Sequence, residues 1–165
     1  FEHLIEDPNL VLSINLSSRD MIDGDVSALV LNLLNKHNVA GRIVFEIVED
    51  EELKSAERVS VFVERAKSMG AMIAIDDFGS GYSNFSYIIK IKPDYVKIDG
   101  SIIKDIDINK DSYAIASAIV AFAKDLGIKT IAEYVHSKEI FNVCKEIGID
   151  EFQGFYLGIP SKKAF

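Results

Sequence analysis

Short, largely apolar runs alternate along this chain with longer stretches in which apolar positions recur every three or four residues. The short runs are Val11–Leu16, Ile43–Val48, Ala71–Ile75, Tyr95–Ile98, Thr130–Ala132 and, less regularly, Gly154–Leu157. Strands covered on both faces are apolar on successive residues in this way. Between them lie helical patterns. Val26 to Lys36 is rich in Leu and Val. Glu52 to Met69 places Leu53, Ala56, Val59, Val63 and Ala66 on one stripe and stops at Gly70. Asp111 to Leu126 groups Ile115, Ile119, Phe122 and Leu126 and stops at Gly127. Ser137 is placed to cap a helix whose buried side is Ile140, Cys144 and Ile147, with Gly148 as its stop. A shorter segment, Asn84 to Lys92, ends before Pro93.

Regular alternation of strand and helix predicts βαβ units and a parallel sheet. About six βα units suit either a doubly wound sheet or most of a (β/α)8 barrel. Gly79 and Gly81 do not continue into a GxGxxG fingerprint, which weakens the nucleotide-binding doubly wound alternative. The expected fold class is therefore α/β, a TIM-like barrel incomplete in this chain. No linker, repeat or low-complexity tract interrupts the pattern, so residues 1–165 read as a single domain.

Composition narrows the chemistry. The chain has 165 residues, 48% of them hydrophobic, and a net charge of −8, which suits a globular domain with a real core. Its acidity argues against a DNA or RNA surface, which needs clustered Lys and Arg. An anionic ligand would need bound cations. Cys144 is the single cysteine and falls in a helical pattern, as a buried thiol would. No apolar run approaches the ~20 residues of a membrane helix, and no signal peptide is visible. The chain starts on Phe1 and ends on Lys162, Lys163, Ala164 and Phe165 without a finished element. Truncation at both ends of a longer protein is expected.

Polar residues then gather where the strands should emerge. Asn15 ends the first, Glu46 and Glu49 flank the second, and Asp76 and Asp77 follow the third. Lys97 and Asp99 lie around the end of the fourth, Glu133 follows the fifth, and Gln153 stands beside the sixth. In a parallel barrel that rim is where sites are built. Asn15, Glu46, Asp76, Asp77 and Glu133 offer only oxygen, which suits Mg²⁺, Mn²⁺ or Ca²⁺ rather than a thiolate-bound zinc. Several carboxylates with adjacent aspartates allow two cations, a pair suited to an in-line phosphoryl displacement. Lys97 could meet a phosphate oxygen or a water there, or form a structural ion pair with Asp99 or Glu133. A Schiff-base role for Lys97 has little support, because the acids flanking it do not depress its pKa.

The stretches Ser13–Ser17, Phe45–Glu49, Ile75–Ser83 (IDDFGSGYS), Val96–Asp99, Ala132–Glu133 and Gln153–Gly154 closely resemble the EAL-domain family, in order and over nearly the whole chain. The resemblance implies a modified (β/α)8 barrel and a phosphodiesterase that opens cyclic-di-GMP to linear pGpG with Mg²⁺ or Mn²⁺. It implies Asn15, Glu46, Asp76 and Asp77 as metal ligands, and Glu133 on the second metal or the attacking water. Lys97 would contact that water or the scissile phosphate. Glu49 would hold the loop after Asp77, while Gln153 and Asp99 would support the substrate side. A homodimer through the barrel, an attached sensor or GGDEF-type domain, and a cytoplasmic location, with any membrane anchor in other domains, are further expectations of the resemblance.

Three departures stand out. Val48 replaces the threonine of the family's ExTE motif. The AEGVE motif reads Ala132-Glu133-Tyr134-Val135-His136, with a ring for a glycine and an imidazole for a carboxylate. The imidazole removes a negative charge that served a loop or metal contact, unless His136 is merely a partly exposed residue beside the Ser137 cap. The Glu-Ala-Leu stretch that names the family belongs to a strand before Phe1, so the isolated fragment is expected to be inactive. A degenerate receptor that binds the dinucleotide without cutting it is the competing reading.

Overall fold

The computed structural model describes residues 7–48, 56–81 and 85–160, with only the backbone of 56–58. Two compact units divide it, Phe1–Asp76 with Asn84–Asp94, and Asp77–Ser83 with Tyr95–Phe165.

The first unit holds strands β1 (Leu12–Leu16), β2 (Ile43–Val48) and most of β3 (Met72–Phe78), adjacent in that order and parallel. The helices around them are α1 (Ser18–Ile22), α2 (Gly24–His37), α3 (Ala56–Ser68) and α4 (Phe85–Ile91). Ser17 opens α1 through a capping box, accepting from the Asp20 N–H at 3.2 Å while its own N–H donates to the Asp20 carboxylate at 3.0 Å. The expected α3 stripe is buried at Val59, Val63 and Ala66. The part of that helix expected over 52–55, including Leu53, lies outside the described residues. Phe62 adds to this face and meets Phe45 of β2 edge-on, with ring centroids 5.7 Å apart. Strand β3 does not stop at Ile75 as its composition suggests. It runs on through Asp76 and Asp77, because Val48 still pairs with Asp76 and the buried Phe78 anchors the end.

The second unit holds β4 (Tyr95–Ile98), β5 (Lys129–Ala132) and β6 (Glu151–Phe152), again parallel and in order, with α5 (Gly100–Ile103), α6 (Lys110–Asp125) and α7 (Lys138–Ile147). Ser137 caps α7 as expected, accepting from the Ile140 N–H at 3.2 Å, and Ile140 and Cys144 are buried. Burial pushes the Cys144 thiol up to about 11. The stripe expected on α6 is corrected. Ile119 is buried, but Ile115 and Leu126 are about half exposed, and the face that packs is Ala116, Ile119, Val120 and Ala123. Two apolar stripes interleave in this helix, and the alanine-rich one allows the closer approach to β4 and β5.

Both units close the amino end of a strand with an aspartate that directly precedes another strand. Asp94, before β4, accepts from the Ile73 N–H at 2.8 Å and from Lys67 Nζ at 2.9 Å. Asp150, before β6, accepts from the Thr130 N–H and hydroxyl at 2.8 and 2.9 Å. These acids satisfy strand donors that a neighbouring ladder does not reach.

The last strand is also corrected. It covers Glu151–Phe152, and 154–157 forms a turn in which Phe155 and Leu157 are exposed. At Gly154, with φ of 156°, a Cβ would lie 2.2 Å from Val135 O and 2.4 Å from Val135 N. The backbone there rides directly on the segment after β5, which ends the strand. Gly154→Ala is therefore expected to cost more than about 3 kcal/mol, whereas Gly127→Ala, with φ of 70° and open space around it, should cost about 1 kcal/mol. Urea midpoints of the two variants check the contrast.

Candidate active site

Parallel register partners share a face of the sheet, and so do residues two apart in one strand. In the first unit Asn15 pairs with Glu46, and Asp76 pairs with Val48, two residues beyond Glu46. Asn15, Glu46 and Asp76 therefore stand on one face near the carboxyl ends of three adjacent strands. Asn15 is exposed, while Glu46 and Asp76 are half-buried.

The second unit repeats the arrangement. Lys97 pairs with Ile131, two residues before Glu133, and Ile98 pairs with Ala132. The Glu133 N–H continues this ladder to Ile98 O at 3.2 Å, and the Gln153 N–H reaches Ala132 O at 2.8 Å. Lys97, Asp99, Glu133 and Gln153 thus rise from one end of three neighbouring strands. Lys97 is buried, and its Nζ lies 2.9 Å from Glu133 Oε1, with side-chain exposures of 5% and 17%. Of the two readings open for Lys97, the ion pair with Glu133 is present. Asp99 caps α5, accepting from the Ser101 N–H at 2.9 Å and from the Ser101 hydroxyl.

Asp77 belongs to this unit too. A regular strand sends consecutive side chains to opposite faces, but φ of 54° at Asp77 breaks that alternation. One of its carboxylate oxygens lies within 4.8 Å of one from Glu133. The donors are all hard oxygens, and the spacing suits two ligands of one cation, whose metal–oxygen distances run from about 2.0 Å for Mg²⁺ to about 2.6 Å for Ca²⁺. Asp76 precedes Asp77 directly and brings a second carboxylate to the same strand end. Glu49 lies outside the described residues.

Beside Glu133 opens a cavity of ≈ 470 Å³ whose walls include Asp99, Gly100, Tyr134, Gln153 and Phe155. Reading strand ends alone did not single out Gly100 or Phe155. The available signal was the aromatic run Phe155-Tyr156 directly after a glycine, which the sequence pattern assigned to a strand. Tyr134 has φ of 57°, a conformation costing roughly 1–2 kcal/mol for a residue with a side chain.

The sequence profile described as the EAL domain matches residues 2–160. The chain belongs to the EAL-domain family. It is 33% identical over 149 residues to cyclic di-GMP phosphodiesterase PdeF of Escherichia coli (strain K12), covering 90% of this chain and 20% of PdeF. MucR of Pseudomonas aeruginosa, named a bifunctional diguanylate cyclase/cyclic di-GMP phosphodiesterase, is 32% identical over 150 residues, covering 90% of this chain and 22% of MucR. The solved PaMucR phosphodiesterase–c-di-GMP complex superposes with a TM-score of 0.82 at 32% identity, over 91% of this chain and 61% of that one. A manganese/cyclic-di-GMP complex of Klebsiella pneumoniae BlrP1 gives 0.79 at 30% identity, over 88% and 38%. The chain thus spans about a fifth of the length of the two curated relatives. Its α/β fold is the EAL-type (β/α)8 barrel, of which the described residues carry six strands. At this position, where the resemblance to the AEGVE motif implies a glycine, Tyr134 takes φ of 57°, a left-handed conformation that glycine adopts readily.

Removing the ammonium from the pair leaves the Glu133 carboxylate without the Lys97 cation. Lys97→Met is expected to destabilise the chain by about 3 kcal/mol, while Glu133→Gln, whose amide oxygen still accepts from Lys97, should cost less than half of that. Paired urea titrations measure the difference. Equal losses would show that the pair contributes little beyond packing.

Proposed function

We propose that this EAL chain serves a metal-dependent phosphodiesterase that opens cyclic-di-GMP to linear pGpG. The carrying observation is the buried Lys97–Glu133 pair with the Asp77 carboxylate close by, at the carboxyl ends of parallel strands in an EAL domain. Asn15, Glu46, Asp76, Asp77 and Glu133 are assigned as ligands of two Mg²⁺ or Mn²⁺ ions. Relatives solved with calcium or manganese beside the dinucleotide support hard divalent cations. Bound there, such cations would activate a water and offset the charge of the displacement.

The chain's own residues supply the rest. Glu133 accepts a hydrogen bond from the attacking water and takes its proton as the new P–O bond forms. Lys97 orients Glu133 through their 2.9 Å contact and sets positive charge beside the scissile phosphate. The bond from phosphorus to the 3′ oxygen breaks, and that oxygen takes up a proton from solvent. Gln153 and Asp99 support the substrate side, and Glu49 holds the loop after Asp77.

Among the described residues no helix is long and apolar enough to cross a membrane. A cytoplasmic site of action, a homodimer through the barrel and an attached sensor or GGDEF-type domain complete the proposal. The bifunctional name of MucR supports the last of these. The competing receptor reading draws on Tyr134 and His136, the two departures beside Glu133.

Asp76→Asn in the full-length protein should abolish pGpG release while the thermal midpoint stays near native. Near-native turnover would remove Asp76 from the site. Glu133→Gln should lower kcat by about 100-fold or more, the usual scale for a lost general base. Its cyclic-di-GMP affinity in Ca²⁺, measured by calorimetry, should change little. Equal loss of binding and turnover would make Glu133 a ligand only, and a native protein that binds but never cuts would establish the receptor.

A further inference from the structure

Tyr134 joins three features that nothing in the proposed chemistry requires. It holds a left-handed backbone, the residue is 59% exposed, and it forms a wall of the cavity next to Glu133. An exposed ring gains little from burial, so packing does not account for a strained tyrosine here. Strain of this kind persists where the surroundings over-determine it, and it gathers at ligand clamps.

The ring is held in place from two sides. His136 meets it edge-on, with centroids 5.3 Å apart and planes at 64°, and His136 Nδ1 lies 3.2 Å from Tyr134 O. On the other side the backbone of Gly100 makes room for it. A Cβ at Gly100 would come within 2.9 Å of Tyr134 Cβ and 3.4 Å of its Cγ. Any residue but glycine at position 100 would push the ring away. The ring is thus a fixed aromatic surface on the edge of the cavity, and Phe155, also 69% exposed, lines the same space. Gln153, on the wall as well, supplies an amide that can donate and accept at the edge of a flat ligand.

A planar, hydrogen-bonding heterocycle matches such a wall. We propose that Tyr134 is a substrate-positioning residue that stacks on one guanine of the cyclic dinucleotide, an inference that rests on the phosphodiesterase reading for its ligand. Stacking on an aromatic side chain uses the face of the base and leaves its edge for polar groups. The base is then anchored one residue from Glu133, which sets how the phosphodiester approaches that carboxylate. Tyrosine here, where the resemblance implies a glycine, adds a contact to the substrate on a backbone of φ 57° that glycine also adopts.

The test sets stability against binding. Tyr134→Gly, Tyr134→Leu and Tyr134→Phe are compared in the full-length protein by urea midpoint, by calorimetry with cyclic-di-GMP in Ca²⁺, and by turnover in Mn²⁺. Tyr134→Gly should unfold at higher urea than the native protein, because glycine accepts φ of 57° freely, and yet bind about tenfold more weakly. Tyr134→Leu should lose affinity similarly without the gain in stability, and Tyr134→Phe should keep native affinity. KM should rise with the loss of affinity while kcat changes little, the mark of a contact made equally in ground and transition states. Native affinity in both Tyr134→Gly and Tyr134→Leu overturns the stacking role and leaves the hydrolase reading intact. A native protein that binds the dinucleotide without cutting it overturns the hydrolase, and the same affinity series still decides the stacking. A native protein that binds no cyclic-di-GMP overturns both.

Discussion

A lysine and a glutamate held 2.9 Å apart, with little of either side chain reaching water, set the terms for the second unit. Each charge removed from water costs several kcal/mol, and the attraction between them offsets that cost only when the geometry is good. The geometry in turn depends on register. Lys97 sits opposite Ile131, so Glu133 falls two residues further along the same face, and a slip of one position would send the carboxylate to the other side. The hydrogen bond from the Glu133 N–H to Ile98 O extends the ladder one step past β5 and holds the carboxylate at the height of the ammonium. The pair is therefore both a consequence of the strand pairing and a check on it.

The two ends of the strands use their acids differently. At the amino ends Asp94 and Asp150 accept hydrogen bonds from strand N–H groups and from Lys67 or Thr130, so their oxygens are committed to the fold. At the carboxyl ends Asp77 and Glu133 bring oxygens within 4.8 Å of one another. Two carboxylates so close repel unless a cation comes between or beside them. Lys97 offsets part of that charge from the Glu133 side, and a bound divalent cation would offset the remainder. The direction of the parallel strands separates scaffold from chemistry, with the same residue type at both ends.

Much of this could be read from residue order. Apolar runs bounded by helical stripes located the first five of the described strands, and helix stops at Gly70, Gly127 and Gly148 fall where the chain takes positive φ. Within the first unit Asn15, Glu46 and Asp76 stand on one face near the strand ends, and within the second Lys97, Asp99, Glu133 and Gln153 rise from one end of three strands. What failed did so for identifiable reasons. On α6 two apolar stripes compete, and sequence ranks the larger side chains first, whereas packing against a sheet favours the alanine face. The run after Gln153 is apolar enough for a strand, but the contact of Gly154 with the Val135 backbone ends it, and no local pattern reports a contact between residues so distant in sequence. Strand β3 outruns its apolar stretch because pairing partners, not side-chain polarity, decide where a ladder stops.

The backbone at Tyr134 joins these threads. The residue before it is fixed by the hydrogen bond from Glu133 to Ile98, and the one after it by the Val135 N–H donating to Gln153 O at 3.0 Å. With both neighbours tied to adjacent strands, the chain must turn within one residue, and φ of 57° is the turn that fits. A glycine meets that demand at no steric cost; a tyrosine meets it only because the two ladders outweigh its strain. The strain at Tyr134 coexists with a Lys97–Glu133 contact of 2.9 Å. The residue sets an aromatic side chain beside Glu133, on the wall of the same cavity. The side chain at this conformationally fixed position sets the surroundings of a ligand, while the ladder bonds on either side of it set the place of the Glu133 carboxylate.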